Sequence, residues 1–112
     1  MRQLAVYVND LRAGTLKERV AGKDYEFAYD KDYLLTSFPP ISVTLPKRIE
    51  SYESEHLFPF FSNLLPEGAI RKVVCREKRI DEQDFFGMLM ATVGTDIIGS
   101  VNFKEIEHGD NQ

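Results

Sequence analysis

Side chains that could ligate a metal or act as nucleophiles are few and scattered in this sequence. His56 and His108 are the only histidines, and neither has a cysteine or a second histidine at metal-ligand spacing. Cys75 is the only cysteine, so an internal disulfide is impossible, and no histidine neighbours it in sequence to activate its thiol. We therefore expect no metal site, no cofactor and a structural or partly exposed thiol.

The run Asp84-Phe85-Phe86-Gly87 has the residue types of the metal-binding Asp-Phe-Gly motif of phosphoryl-transfer enzymes. One extra residue disrupts that spacing, and the run lies at a predicted helix start, so it is better explained by helix capping. A glycine-rich phosphate loop is absent, since Gly14 and Gly22 stand alone, and so is a His-Arg-Asp catalytic loop. These patterns predict a protein that is not an enzyme.

Composition describes one small packed domain. The chain has 112 residues, is 43% hydrophobic and has a formal net charge of −4. This acidic balance disfavours specific nucleic-acid binding, which requires clustered Lys and Arg, and no apolar run approaches the ~20 residues of a membrane span. Without a signal core or a disulfide, the sequence predicts a cytoplasmic protein, with a domain at 1–104 and a polar tail at 105–112.

A local basic cluster contrasts with the overall charge, because residues 71–79 contain five basic side chains against one acidic, Glu77. One interpretation is a solvated helix face opposite the apolar residues Ile70, Val73 and Val74. The other is a secondary contact with an acidic partner surface or a DNA phosphate backbone. The candidates for such a contact are Lys72, Arg76 and Arg79.

Alternating apolar residues predict the strands that must position these groups. Tyr25, Phe27 and Tyr29 alternate with polar residues and give the clearest case. Prolines on both sides of Ile41–Leu45 predict a short or edge strand, and residues 47–56 predict an exposed loop. The fold class is α+β: a mostly antiparallel twisted sheet of about five strands with three short helices packed on one side. The predicted strands are 3–8, about 12–20, 24–30, 41–45 and about 97–103.

A helical corner is predicted before the basic cluster. Apolar residues at 57, 60, 61, 64 and 65 follow helical spacing, and Pro66 excludes Leu65 from the α region and ends that helix. Pro66 can also occupy the first position of the next helix. Phe58 and Pro59 fall off the apolar face, so either they are exposed as interface anchors or they staple onto the preceding loop.

A third helix has complete start and end patterns. Asp81 is its predicted cap, Asp84 stands three residues later, and Ile80 and Phe85 are spaced as a hydrophobic staple. A buried stripe then runs through residues 85, 86, 89 and 93, and Gly94 is suited to a left-handed helix end. This helix leads into the last predicted strand.

The corner also carries a resemblance to a known family. Phe60-Phe61-x-Asn63-Leu64-Leu65-Pro66-Glu67-Gly68 resembles the N-terminal subdomain of the HipA-type toxin kinases. The resemblance covers roughly residues 3–103, while the kinase that follows in HipA-type proteins is absent from the sequence. Further matching segments are 6–9, 14–16, 25–30, 41–46 and 94–101.

This resemblance implies a function. In HipBST-like systems a free subdomain of similar extent, HipS, is the antitoxin of a HipT-like Ser/Thr kinase, and a HipB-like helix-turn-helix protein can share the complex. The alternative is a regulatory or structural subdomain separated from its kinase, with no activity of its own. The expected kinase contacts surround the corner: Phe58, Pro59, Asn63, Pro66, Glu67, Gly68 and Arg71.

Overall fold

The computed structural model describes residues 1–91 and 101–106. Five strands and four helices lie within these residues. They are β1 (Arg2–Val8), β2 (Leu11–Val20), β3 (Asp24–Tyr29), α1 (Lys31–Leu34), β4 (Tyr52–Ser54), α2 (Pro59–Ser62), α3 (Gly68–Lys78), α4 (Phe85–Met90) and β5 (Val101–Glu105).

The strands form one antiparallel sheet in the order β4-β3-β2-β1-β5. A two-residue turn joins β1 to β2, with Asn9 and Asp10 both at positive φ, as the favoured hairpin turns require. Gly22, also at positive φ, lies in the turn between β2 and β3. The predicted α+β class and the antiparallel sheet of five strands are confirmed.

The β2–β3 pairing depends on a glycine. Gly14 lies opposite Tyr29, and a Cβ atom at this position would come within 2.3 Å of the Ala28 carbonyl oxygen. Even an alanine would therefore push the two strands apart, so glycine permits their close approach.

One face of the sheet forms the core. Tyr25, Phe27 and Tyr29 of β3 are all buried, as their alternation predicts, and Leu4 of β1 and Leu16 of β2 join them. The opposite face is polar and carries ion pairs, which on β2 and β3 include Arg19–Asp24 and Lys17–Glu26. A sheet with one wet face fits the antiparallel arrangement.

The helices cover the core face. Phe61 of α2 lies 5.7 Å from Phe27 and 6.1 Å from Phe103, measured between ring centroids. Phe86 of α4 stacks on Tyr25, and Tyr33 of α1 stacks on Tyr29. Because α1 is a single turn without a side-chain cap, its sequence gives little indication of a helix, and the described helices are four rather than three.

Two expectations for residues 41–56 are wrong. Residues 41–45 make an isolated bridge from Ser42 to Leu45 instead of a strand, and the Tyr29 hydroxyl secures this turn by donating to the Leu45 carbonyl. The same hydroxyl accepts from the Ile41 N–H at 3.1 Å. Inside the expected loop, Tyr52–Ser54 forms β4 and pairs with β3 at the sheet edge.

The corner is shorter than its apolar pattern predicts. Only Pro59–Ser62 is helical, and the chain then passes through a non-helical link. Leu65 is buried there while Leu64 is half-buried. Pro66 lies two residues before α3 and does not open it, because Glu67 is the capping residue and Gly68 the first helical one.

The third predicted helix starts three residues later than expected. Asp84, not Asp81, caps α4, accepting from the Gly87 N–H at 3.0 Å. Asp81 organises the preceding turn by accepting from the Gln83 N–H at 2.8 Å. The expected helix end at residues 93–94 and the start of the last strand lie outside the described residues. The expected polar tail began at residue 105, but Glu105 is the last residue of β5. Residues 107–112 of that tail lie outside the described residues.

Candidate functional site

Phe58 does not have the exposure expected of an interface anchor. Its backbone is extended, with ψ 138°, where the chain enters α2, and the side chain is only 7% exposed. Its ring meets the edge of Phe61 at 6.3 Å between centroids. Of the two alternatives for Phe58, exposure as an interface anchor is therefore wrong: the side chain belongs to the core, and the neighbouring Pro59 lies at the surface.

The other corner residues form a surface rim, defined as Pro59, Asn63, Pro66, Glu67 and Gly68. All are exposed except Pro66, which is half-buried. The Glu67 side chain makes no capping hydrogen bond, and no described residue pairs with its carboxylate. Gly68 has φ +59°, a conformation that favours glycine, and nothing lies within 4 Å of the place a Cβ would occupy. The rim therefore offers a free carboxylate beside bare backbone.

Arg71 has an internal use that its sequence position does not reveal. It is half-buried, and its Nε donates to the Pro66 carbonyl at 2.9 Å. Its guanidinium carbon lies 5.3 Å from the centroid of the Phe85 ring. Arg71 thus ties α3 to the corner on one side and to α4 on the other, whereas its predicted contact with a partner stays a prediction.

The apolar residues of α3 point the opposite way from the expectation. Cys75 is the only buried residue of this helix, whereas Ile70 is 66% and Val73 48% exposed. The interpretation that places the apolar residues opposite a solvated basic face is therefore wrong for these two residues. Sequence spacing identified them correctly as neighbours on one helical face but assigned that face to the core. The basic residues Lys72, Arg76 and Arg79 are exposed as well.

A partly buried ionic cluster is centred on Glu18, and no sequence motif indicated it. Glu18 is 2% exposed, and its Oε1 accepts from the Arg2 Nε at 2.7 Å. Its Oε2 accepts from the Gly22 N–H at 3.0 Å and from the Tyr25 hydroxyl at 3.1 Å. The only available indication was a glutamate at an inward position of β2, two residues after the buried Leu16.

Arg2 extends this cluster to α4. Its Nη2 donates to Asp84 Oδ1 at 2.8 Å, and its guanidinium lies over the Phe86 ring. Burial, with the nearby Glu18 charge, raises the pKa of Tyr25 to about 12, so the phenol remains protonated at neutral pH. Every carboxylate in the cluster is engaged by a donor, which is the pattern of a structural tie.

Asp84 makes part of this tie sensitive to acid. The hydrogen bond from Arg2, helped by the Gly87 N–H, holds the pKa of Asp84 below its ordinary value, although desolvation opposes it. A carboxyl group with a lowered folded-state pKa stabilises the fold above its unfolded pKa and loses this contribution as the pH falls through the folded pKa.

We expect Asp84→Asn to keep the helix cap, since Asn caps nearly as well as Asp, but to lose this acid-dependent contribution. Urea unfolding from pH 7 downward should show wild type more stable at neutral pH. The difference should shrink below about pH 5 as Asp84 takes up its proton. Asp10→Asn, at an exposed turn residue, is the control. A difference between wild type and Asp84→Asn that is constant with pH would contradict the ionic tie.

The described residues contain neither a group arranged to ligate a metal nor a helix able to span a membrane. In 1–91 and 101–106 no group of three or more His, Cys, Asp or Glu side chains is arranged to hold a metal ion. Asp84, in the run resembling a metal-binding motif, is occupied by Arg2 and the Gly87 N–H. His56 is exposed and His108 lies outside these ranges. No helix within the same ranges is long and apolar enough to span a membrane.

Comparison with known proteins places this arrangement in a family. The profile of the HipA N-terminal domain matches residues 4–104. A solved structure titled "N-terminal domain of HipA toxin" superimposes with a TM-score of 0.68 and 30% identity, covering 96% of each chain.

Two curated proteins are also similar. A Haemophilus influenzae protein named "Uncharacterized protein" is 34% identical over 92 residues, which are 82% of this chain and 81% of that protein. "Putative kinase Y4mE" of Sinorhizobium fredii is 33% identical over 79 residues, which are 70% of this chain and 19% of that protein. The chain thus matches about a fifth of the kinase-named relative. With the domain profile spanning nearly its whole length, the chain belongs to the HipA N-terminal domain family.

Proposed function

We propose that this chain is a non-catalytic antitoxin subunit that binds a HipA-like Ser/Thr kinase in the bacterial cytoplasm and inhibits it. The observation that carries the proposal is the family match across residues 4–104 of a domain with an aromatic core of its own. The Haemophilus influenzae relative, matched over 81% of its own length, supports a role for this domain without a large kinase in the same polypeptide.

Inhibition in this proposal works by occlusion. The corner rim is an irregular, pre-folded surface that combines the free Glu67 carboxylate with the bare backbone of Gly68. A surface already in its bound conformation loses little entropy on docking, which favours tight association. Seated against the kinase, the rim would block nucleotide or substrate, or hold a kinase lobe in a non-productive arrangement. The same complex would accommodate a HipB-like DNA-binding protein as a third subunit.

A second function has its own support. The kinase-named relative contains this domain as about a fifth of its length, which fits a domain that serves the kinase within one polypeptide. In this alternative the chain binds the kinase body and has no inhibitory effect. Kinase activity in the presence of the bound chain separates the two functions, because only an antitoxin lowers it.

The test uses a purified HipA-like Ser/Thr kinase as the partner. Wild-type chain should bind the purified kinase and restore growth to cells expressing it. Glu67→Arg, which reverses the free charge of the rim, should weaken binding by about 30-fold, the effect of losing one interfacial hot spot of ~2 kcal/mol. Calorimetry measures the affinity and growth measures protection.

Glu50→Arg is the matched control, since Glu50 is exposed and lies nine residues before Pro59, the first residue of the rim. It should bind and protect like wild type. If wild type fails to protect, the antitoxin role is wrong. If Glu67→Arg binds as tightly as wild type, the rim is not the contact surface, although the antitoxin role stands.

A further inference from the structure

Helix α3 is attached to the domain by a narrow strip. Over Gly68–Lys78, Cys75 is the only buried side chain, with Arg71 and Val74 half-buried beside it. A surface helix normally turns its apolar residues to the core. Here Ile70 and Val73 face outward instead, three residues apart on one face. We call the face formed by Ile70, Val73, Lys72 and Arg76 the α3 outer face.

The orientation of this face is fixed by the opposite side of the helix. Arg71 donates to the Pro66 carbonyl and packs over Phe85, and Cys75 enters the core cluster. Turning Ile70 and Val73 inward would break these contacts. The α3 outer face is therefore held outward before any partner arrives, which reduces the ordering cost of binding.

The charges of helix α3 limit which kind of partner could bind the α3 outer face. Lys72, Arg76, Lys78 and Arg79 have no ion-pair partner within residues 1–91 and 101–106. A second copy of the chain would bring the same basic helix against this one, and like charges would oppose pairing. The occupant must instead supply negative charge.

The apolar residues limit the choice of partner further. A DNA phosphate backbone would satisfy the Lys and Arg side chains, but it offers no apolar surface to Ile70 and Val73, which lie next to them. An apolar groove with an acidic rim satisfies both. This is the helix-in-groove mode of protein recognition, with anchors at helical spacing.

We infer that the α3 outer face docks into an apolar, acid-rimmed groove on the kinase, as a second contact beside the corner rim. The inference rests on the proposed function and adds to it the chemistry of the partner surface. Ile70 and Val73 fill the groove, while Lys72 and Arg76 meet its acidic edge. Continuity along the chain allows both surfaces to be engaged at once, because Gly68 belongs to the rim and also begins α3.

The experiment measures binding of the same HipA-like kinase to the full 112-residue chain by surface plasmon resonance at low and high salt. Ile70→Glu with Val73→Glu should weaken affinity by about 30-fold or more, because both anchors then present charge to an apolar groove. Lys72→Glu with Arg76→Glu should slow association by about tenfold and reduce its salt dependence. All four substituted residues are exposed, so circular dichroism should show native folding for each of the two double variants.

The matched control is Leu35→Glu with Ile49→Glu. These residues are 86% and 80% exposed and form an apolar patch beside α1, so the control introduces the same charges at an equally apolar place. It should bind the kinase like wild type. Equal weakening by control and test variants would show a general effect of added charge and would overturn the inference.

Three further outcomes are distinct. If wild type does not bind the kinase, the proposed function fails, and this inference with it. If wild type binds and both α3 variants bind equally well, the inference alone is overturned. If Lys72→Glu with Arg76→Glu abolishes binding to a random DNA duplex and leaves kinase affinity unchanged, nucleic acid is the occupant of the face and the inference is again wrong.

Discussion

Replacing Phe61 with alanine is expected to lower the free energy of unfolding by about 3–5 kcal/mol, the usual cost of truncating a buried Phe. Phe61 is fully buried and lies where α2 meets the sheet, against Phe27 of β3 and Phe103 of β5. Its removal leaves a cavity bordered by rings that cannot close in without moving their strands. Urea or guanidinium unfolding followed by circular dichroism measures the loss.

Phe38→Ala is the matched control for this substitution. Phe38 is half-exposed and, among residues 1–91 and 101–106, its ring stacks only on Tyr33, so its removal should change stability by about 1 kcal/mol or less. Since small domains have total stabilities of about 5–15 kcal/mol, Phe61→Ala alone removes a large part of the margin. Equal effects of the two substitutions would show that the corner does not pack on the sheet as described.

Glu18→Ala is the second substitution with a large expected effect, about 2–4 kcal/mol, because it leaves the buried Tyr25 hydroxyl without its acceptor and removes charge-assisted hydrogen bonds from the half-buried Arg2. Four donors lose their acceptor at once: two Arg2 nitrogens, the Gly22 N–H and the Tyr25 hydroxyl. Among these donors, the Tyr25 hydroxyl belongs to a buried side chain. The denaturation midpoint should fall steeply, and it is read in the same unfolding experiment.

Glu53→Ala provides the comparison. Glu53 is exposed and pairs with Arg19 at 3.3 Å on the wet face of the sheet, where an ion pair contributes about 1 kcal/mol or less. The contrast between the two glutamates isolates the effect of burial from that of charge. A loss for Glu18→Ala no larger than for Glu53→Ala would mean that water replaces the missing carboxylate.

The sheet was largely predictable because apolar and polar residues alternate along its longer strands with a period of two residues. Tyr25, Phe27 and Tyr29 alternate without interruption, and their burial follows directly. β4 was missed because three residues, Tyr52–Ser54, are too few to show a period, and their strand conformation comes from pairing with β3. The Ile41–Leu45 segment alternates equally well, but hydrogen bonds from and to Tyr29 hold it as a turn.

The candidate site was less predictable, because apolar spacing identifies a helical face without saying what covers it. At the corner, Leu57 and Leu65 are both buried, although the helix between them is only the single turn Pro59–Ser62 and does not extend to either residue. On α3, the pair Ile70 and Val73 has the spacing of a core stripe, yet the helix is rotated by the contacts of Arg71. Those contacts join residues through tertiary packing, which periodicity cannot report.

The strand order β4-β3-β2-β1-β5 has a consequence for how the domain is made on the ribosome. The first three strands are joined by short turns and can pair while the rest of the chain is being synthesised. One edge of β1 then stays unpaired until β5 has left the ribosome and pairs with it, with Val101 opposite Val8. Phe103 arrives with β5, so Phe61 also lacks one neighbour until then. Interrupted translation would thus release chains with an open sheet edge and exposed aromatic rings, the species most prone to aggregate and to require chaperones.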